Sequence, residues 1–443
     1  MFTKDTYCML PWSSIMIAPS GDYKICCFSG LDVANEKENP EGSHGMCVDD
    51  NGNVMNVLTH SIKEALNSKY SKQIRLAQSK NERHPMCEVC WTRDDANAAK
   101  GQMTSSLRYF RSFVQLVDMD NAVSMQKAHT IMQEDGSIDE YPISLDLRFT
   151  NVCNMKCIMC SSKYSNQWYE DEAKMGRGSF HYGNKKYNFV EINGIVKSDI
   201  VPWHESPAWW DQFDSIKERI RHIYITGGEP FIIKGHDVLL DKLIENDLAK
   251  NIIMEYDTNL SVINTKLLDK LKQFKKVLLA ISCDDINEQY ELIRFPGKFS
   301  TITKNLEFLK EKNFPIRYLS SCIGIYSIFS PIRLHEHFSK QGYTGERDYV
   351  FRFLRQPNEV DISFLPRSVK KKVIEIYEKS NLIQKWKNFV IGHLENNMEK
   401  YTEEESKIHL MRFVRYMDKL DEIRGTDWRK TFHDVVELLD GYI

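Results

Sequence analysis

Downstream of residue 143 the chain alternates short, strongly apolar runs with amphipathic stretches of helical period. The runs fall at 143–149, 222–226, 252–257, 276–282, 316–324 and 349–354. Between most of them, at 236–248, 265–274 and 300–312, apolar residues recur every three or four positions. Alternation of this kind predicts parallel strands joined by right-handed helical crossovers. Six such units close partway into a barrel, with reactive groups expected at the C-terminal ends of the strands.

The rest of the chain breaks this rhythm. Residues 1–91 hold six cysteines, turn signals at Pro19-Ser20-Gly21-Asp22 and Asn51-Gly52-Asn53, strand-like runs at 14–17 and 53–57, and one helical stretch over 61–79. Residues 176–215 form a long insertion rich in aromatic residues, among them Phe180, Tyr182, Tyr187, Trp203, Trp209 and Trp210. Residues 366–443 predict three or four charged amphipathic helices broken at Gly425, a solvated face covering the barrel or an oligomer surface. The expected division is a small α+β unit at 1–100, a partly helical linker at 101–142, the barrel at 143–365 and a helical extension at 366–443.

Composition narrows the class. The 443 residues are 42% hydrophobic and 27% charged, with a net charge of −3, the balance of an ordinary soluble protein. That charge argues against bulk attraction to nucleic acid. No run reaches the roughly 20 apolar residues of a membrane helix, and the first residues lack a signal-peptide pattern, so a cytoplasmic protein is expected. Eleven cysteines, an odd count, argue against a disulfide framework and for thiols kept reduced.

The cysteines cluster where metal ligands would. Directly after the first barrel run stands Cys153-Asn154-Met155-Lys156-Cys157-Ile158-Met159-Cys160, a C-x3-C-x2-C loop. Four thiolates saturate a four-iron cluster; three leave one iron open for a substrate. The competing reading is a zinc knuckle, since C-x2-C pairs also hold zinc. At the end of the next run comes Thr226-Gly227-Gly228-Glu229-Pro230, whose glycines allow close backbone approach and whose carboxylate can accept an ammonium. This pairing of motifs resembles the radical S-adenosylmethionine (SAM) superfamily over roughly 143–365. The resemblance implies a partial (β/α)6 TIM-like barrel and a [4Fe-4S] cluster on Cys153, Cys157 and Cys160. It further implies SAM contacts at Gly227, Gly228, Glu229, Thr258, Asn259, Ser282 and Arg294. Met159 stands where an aromatic residue near the adenine is usual, and a thioether packs on a ring in much the same way.

The N-terminal group resembles the twitch domain, the shortened relative of the SPASM auxiliary-cluster domain. The resemblance implies a second [4Fe-4S] cluster on Cys8, Cys26, Cys87 and Cys90, with Cys27 as the alternate to Cys26. Here the unit precedes the barrel, whereas it usually follows. Cys47 is expected to pack, and burial is the default for Cys283 and Cys322, with a hydrogen-donor role as the alternative. The Trp203, Trp209 and Trp210 group is expected to be core. The resemblance implies an enzyme that cleaves SAM to a 5′-deoxyadenosyl radical, fed by a reductant such as flavodoxin or ferredoxin. Its substrate is expected to be a peptide or protein, the alternatives being a sugar or other small metabolite. A non-catalytic zinc-stabilised binding protein is the competing class.

Overall fold

The computed structural model describes residues 6–30, 45–98, 125–182 and 185–443. Strands β1 (Ser14–Ile17) and β2 (Tyr23–Lys24) lie in the cysteine-rich segment, and β3 (Ser144–Leu147) opens the barrel. Strands β4 (Ser179–Tyr182), β5 (Lys185–Ile192) and β6 (Ile195–Ser198) form a separate antiparallel sheet in the insertion. Strands β7 (His222–Ile225), β8 (Ile253–Thr258), β9 (Lys276–Ser282), β10 (Ile316–Ile323) and β11 (Tyr349–Phe353) complete the main sheet, in the order β11-β10-β9-β8-β7-β3-β1-β2. Neighbours from β11 to β1 run parallel, and β2 pairs antiparallel at the edge. The fold is α/β, a partial TIM-like barrel with a helical C-terminal region. Among the described residues, no helix is long and apolar enough to cross a membrane.

The six expected barrel strands are β3 and β7 to β11, each within a few residues of its predicted span. Their alternation sets two faces. Leu145, Ile223, Met254, Leu279 and Leu319 are buried with helix residues such as Leu239, Leu240 and Leu243 in the main core. The other face carries Asp146, Tyr224, Glu255, Asp257, Tyr318, Cys322 and Arg352, placed side by side by the register. This sheet is strongly curved. Arg352 on β11 feels the charge of Asp257 on β8 and Tyr224 on β7, strands that a flat sheet would hold far apart.

Three features depart from expectation. Strand β1 pairs with β3 from Ser14↔Ser144 to Ile17↔Leu147, so the N-terminal segment adds a strand to the main sheet. The single helix expected over 61–79 is two, Ile62–Leu66 and Lys69–Ser79. The break turns the Leu66 carbonyl and the Asn67 side chain toward the guanidinium of Arg75, which also donates to the Pro11 carbonyl and is fully buried. The run at 53–57 is tied only by isolated bridges, Asp22↔Asn56 and Val48↔Val54. Of the expected linker, residues 101–124 lie outside the described residues, and the rest includes the helix Met125–Ile131. Trp203 and Trp209 are core, edge-to-face at 5.0 Å, and Cys47 is fully buried.

Candidate active site

The cysteine loop leaves β3 and is clamped from three sides through its backbone. From the barrel, the Phe295 and Ile293 carbonyls accept from the N–H groups of Lys156 (2.7 Å) and Ile158 (2.9 Å). From the segment that follows, the Asn166 side chain accepts from Cys153 N–H at 2.9 Å, and Trp168 donates its indole N–H to the Cys157 carbonyl at 3.0 Å. From the C-terminal helix Glu403–Arg424, the Tyr416 hydroxyl donates to the Ile158 carbonyl at 3.0 Å. The loop therefore presents Cys153 and Cys157, both buried, and half-buried Cys160, packed with Met155 and Met159. Burial pushes the Cys153 thiol up to about 12. The neighbouring Cys160, with help from Arg294, holds Cys157 below its ordinary value, and Cys160 is raised in turn. Thiols so buried become thiolates at neutral pH only when a metal takes the proton's place.

The Gly-Gly-Glu turn sits against this loop. Glu229 is almost fully buried, and its N–H donates to the Val152 carbonyl at 2.9 Å. Its carboxylate accepts from the Thr258 hydroxyl (2.6 Å), the Asn259 N–H (2.7 Å) and the Phe231 N–H (3.1 Å). Burial raises its pKa. A carboxylate has about four lone-pair sites, so three protein donors leave room for one more. Gly228 has φ +54°, and a Cβ there would fall 2.1 Å from the Val152 carbonyl oxygen. The glycine thus serves contact between two protein loops. Gly228→Ala is expected to displace the cysteine loop and lower deoxyadenosine formation at least about tenfold, beyond the ~1–3 kcal/mol that φ alone costs. Gly176→Ala, at φ +81° in open space, supplies the control for φ alone; equal iron content and activity in the two variants would refute the contact.

Asn259 extends the assembly, donating to Asn154 at 3.0 Å, while Asn154 donates to Ser261 at 2.8 Å. Arg294 is buried beside Cys157 Sγ, 3.9 Å from Nη1. Its Nε lies 2.7 Å from Asp284 Oδ2, but out of line for a hydrogen bond, so both atoms are buried without one. Ser282 stands half-buried at the end of β9. Cys283 is fully buried with its thiol donating to the Asp285 carbonyl, whereas Cys322 faces the barrel interior near Asp284 and Arg352.

One part of the site has no motif. Asp171, fully buried, accepts from Lys156 of the cysteine loop (2.5 Å) and from Arg424 at the end of the C-terminal helix (2.8 Å). The Arg424 guanidinium also lies over the Trp168 ring at 4.6 Å. Breaking a buried pair of this kind costs about 3–5 kcal/mol. The extension expected to be a solvated cover is instead bonded directly to the cysteine loop.

In the N-terminal segment, Cys8, Cys26, Cys27, Cys87 and Cys90 are all half-buried. Gly30 N–H donates to the Met86 carbonyl at 3.0 Å, which brings the Cys26 turn to the Cys87 turn. Trp12 donates to Gln78 at 2.8 Å, which holds the Cys8 segment on the helix preceding Cys87. The Cys26 turn is closed by Ser29, whose N–H and hydroxyl both donate to the Cys26 carbonyl, at 3.3 and 2.8 Å. Cys27 is close enough to Cys26, Asp146, Arg148 and Lys24 for their charges to interact.

Among the described residues, no three His, Cys, Asp or Glu side chains surround one ion-sized position. A four-iron cluster asks for none, because each thiolate binds a different iron. The sequence matches the family model of the radical SAM superfamily over residues 147–328. Residues 147–328 are therefore a radical SAM domain. The iron–sulfur cluster-binding SPASM model matches residues 8–91, N-terminal to the radical SAM domain. The cofactors are therefore a [4Fe-4S] cluster with SAM, and auxiliary iron–sulfur. The residues fit them: two buried thiols and one half-buried thiol on one loop, with the buried Arg294 guanidinium beside Cys157. Curated relatives are partial matches. A 7-carboxy-7-deazaguanine synthase of Thermoplasma acidophilum is 26% identical over 122 residues, 28% of this chain and 41% of the relative. An uncharacterized protein of Methanocaldococcus jannaschii is 27% identical over 178 residues, 39% of this chain and 50% of the relative. The chain thus spans half or less of the length of these relatives. Among solved structures, native anSMEcpe with bound AdoMet superposes with a TM-score of 0.36 at 16% identity, covering 54% of this chain and 60% of that one. Streptococcus suis SuiB bound to S-adenosylmethionine gives 0.34 at 13%, covering 70% and 60%.

Proposed function

We propose that this radical SAM enzyme abstracts hydrogen from an unreactive carbon of a peptide or protein held in the barrel interior. Cys153, Cys157 and Cys160 hold the cluster that binds SAM. The Arg294 guanidinium takes the SAM carboxylate, and Glu229, with Gly227 and Gly228 beside it, takes the amino group. Met159 packs beside the adenine. Thr258 and Asn259 act first as positioning residues, because their polar groups hold Glu229 in place; Ser282 lies at the ribose side. When bound and reduced by one electron, SAM supplies methionine and a 5′-deoxyadenosyl radical that removes a hydrogen atom from carbon. Cys8, Cys26, Cys87 and Cys90 hold one auxiliary four-iron cluster that accepts the product's electron or docks substrate. The first electron comes from a reductant such as flavodoxin or ferredoxin.

The observation that carries the peptide reading is an exposed apolar sheet face. On the hairpin of β5 and β6, Val190, Ile192 and Ile195 lie on one side and are 45%, 46% and 61% exposed. Contiguous exposed apolar surface marks macromolecular contact. Anaerobic incubation with SAM, reductant and a host extract, followed by mass spectrometry, tests it. The expected product is a mass-shifted peptide or protein, with KM raised about tenfold in Ile192→Asp/Ile195→Asp. Modification of low-molecular-weight metabolites alone would overturn the reading.

A further inference from the structure

The interior of a TIM-like barrel is ordinarily filled by branched apolar side chains. Here many inward positions are charged or hydroxylated, and on the side of β2 and β3 two cations, Lys24 and Arg148, face one carboxylate, Asp146. Lys24 on β2 pairs with Met16, which pairs with Asp146 on β3, so all three face inward in one row. Lys24 is 8% exposed, and its ammonium makes no hydrogen bond or ion pair among the described residues. A buried charge without a partner is expensive, and native structures seldom keep one without use. Next to it, among the described residues, the Arg148 side chain bonds Asp146 alone, in an ion pair with contacts of 3.3 and 3.5 Å. Its guanidinium has five N–H donors, so most of them point at no protein acceptor. Further round the barrel, Arg352 bonds only Ser320, at 2.5 Å. Asp257 gives one oxygen to Tyr224 at 2.6 Å and leaves Oδ1 buried without a donor.

We propose that Lys24 and Arg148 form an oxyanion subsite inside the barrel, which takes a carboxylate or phosphate group of the substrate. Further round the barrel the Asp257 oxygen that lacks a donor accepts an N–H or ammonium of the same molecule, so the site selects a substrate carrying both. The arrangement follows from chemistry: a fork and an ammonium together suit a two- or three-oxygen anion, and charge-assisted bonds are strong where water is scarce. Tyr182 from the insertion sheet lies close enough to Arg148 for their charges to interact, which sets the subsite at the wall between that sheet and the barrel. The inference rests on the reading that the substrate occupies the barrel interior. It adds which group of the substrate is held, and on which wall. An alternative duty, offsetting the charge of thiolates at Cys26 and Cys27, would engage both Lys24 and Arg148 and predicts no saturable anion response.

The test uses the reconstituted full chain and two probes, inorganic phosphate and acetate, titrated at constant ionic strength against chloride. The readout is the thermal midpoint together with intrinsic fluorescence. A saturable response to at least one probe is expected; the stronger probe tells a phosphate-bearing from a carboxylate-bearing substrate. Lys24→Gln and Arg148→Gln should each weaken the response about tenfold or more. Lys304→Gln, an exposed site on a covering helix, should leave it unchanged. Arg148→Lys keeps the charge without the fork and should fall between, which guards against a variant that merely misfolds. No saturable response in the wild type overturns the proposal. So does a Lys24→Gln response equal to wild type, even where the auxiliary cluster's reduction potential shifts. The readout needs no turnover, so its failure would leave the peptide reading standing. A metabolite-only product in the extract experiment would likewise leave the subsite standing.

Discussion

Alanine at Cys153, Cys157 and Cys160 together is expected to abolish deoxyadenosine formation from SAM while the protein stays folded. On the proposed assignment these thiolates hold the only cluster with an open iron, and no other residues supply that chemistry. The fold should survive because the loop is held by backbone groups. Lys156 and Ile158 donate to the Phe295 and Ile293 carbonyls, and the Cys157 and Ile158 carbonyls accept from Trp168 and Tyr416. None of these bonds involves a sulfur. Buried Met155 and Ile158 keep their packing as well. The wild type should bind about eight irons after anaerobic reconstitution and the triple variant about four. Chromatographic detection of 5′-deoxyadenosine, with circular dichroism on the same sample, decides the matter. Deoxyadenosine persisting in a folded triple variant would show that other cysteines bind SAM.

The sequence was most legible where one physical signal acted alone. The barrel strands announced themselves because each is apolar on the face the helices cover, and β9 runs over the very span its pattern predicts, Lys276–Ser282. The cysteine and Gly-Gly-Glu motifs were legible because cluster ligation permits few residue types. The structure brings the two together through Gly228 and Val152, a contact that no spacing could reveal. Other parts were hidden by competing signals. The hairpin of β5 and β6 was lost among the aromatics of the insertion, although Asn193-Gly194, with φ +53° and +75°, is a strong hairpin turn. The polar barrel interior was present as alternation in Asp146-Leu147-Arg148 and Glu255-Tyr256-Asp257. Attention to the apolar half of each strand passed over it. The bond from Asp171 to Arg424 spans 253 residues and could not be read locally at all.

The division of labour between the two clusters gives the second large effect. Cys8, Cys26, Cys87 and Cys90 supply four thiolates, so their cluster has no open iron for SAM. Cys87→Ala/Cys90→Ala should remove about half the iron yet leave slow, substrate-free SAM cleavage measurable. Turnover of the true substrate should fall by a much larger factor, because the product's electron loses its acceptor or the substrate its docking site. The structure indicates why this variant can stay folded. Cys87 ends the turn Pro85–Cys87 and Cys90 lies in the first turn of the helix Glu88–Ala98. The bonds around them run from Gly30 N–H to the Met86 carbonyl and from the buried Trp91 to the His84 carbonyl. Strand β1 is further secured by its pairing with β3 in the main sheet, which gives the N-terminal segment a support independent of iron. Small metal-dependent units often unfold without their metal, so circular dichroism must accompany the iron assay. A folded double variant that keeps its full iron content would show that Cys87 and Cys90 are not ligands. One that loses SAM cleavage in step with iron would show that the two clusters do not work separately.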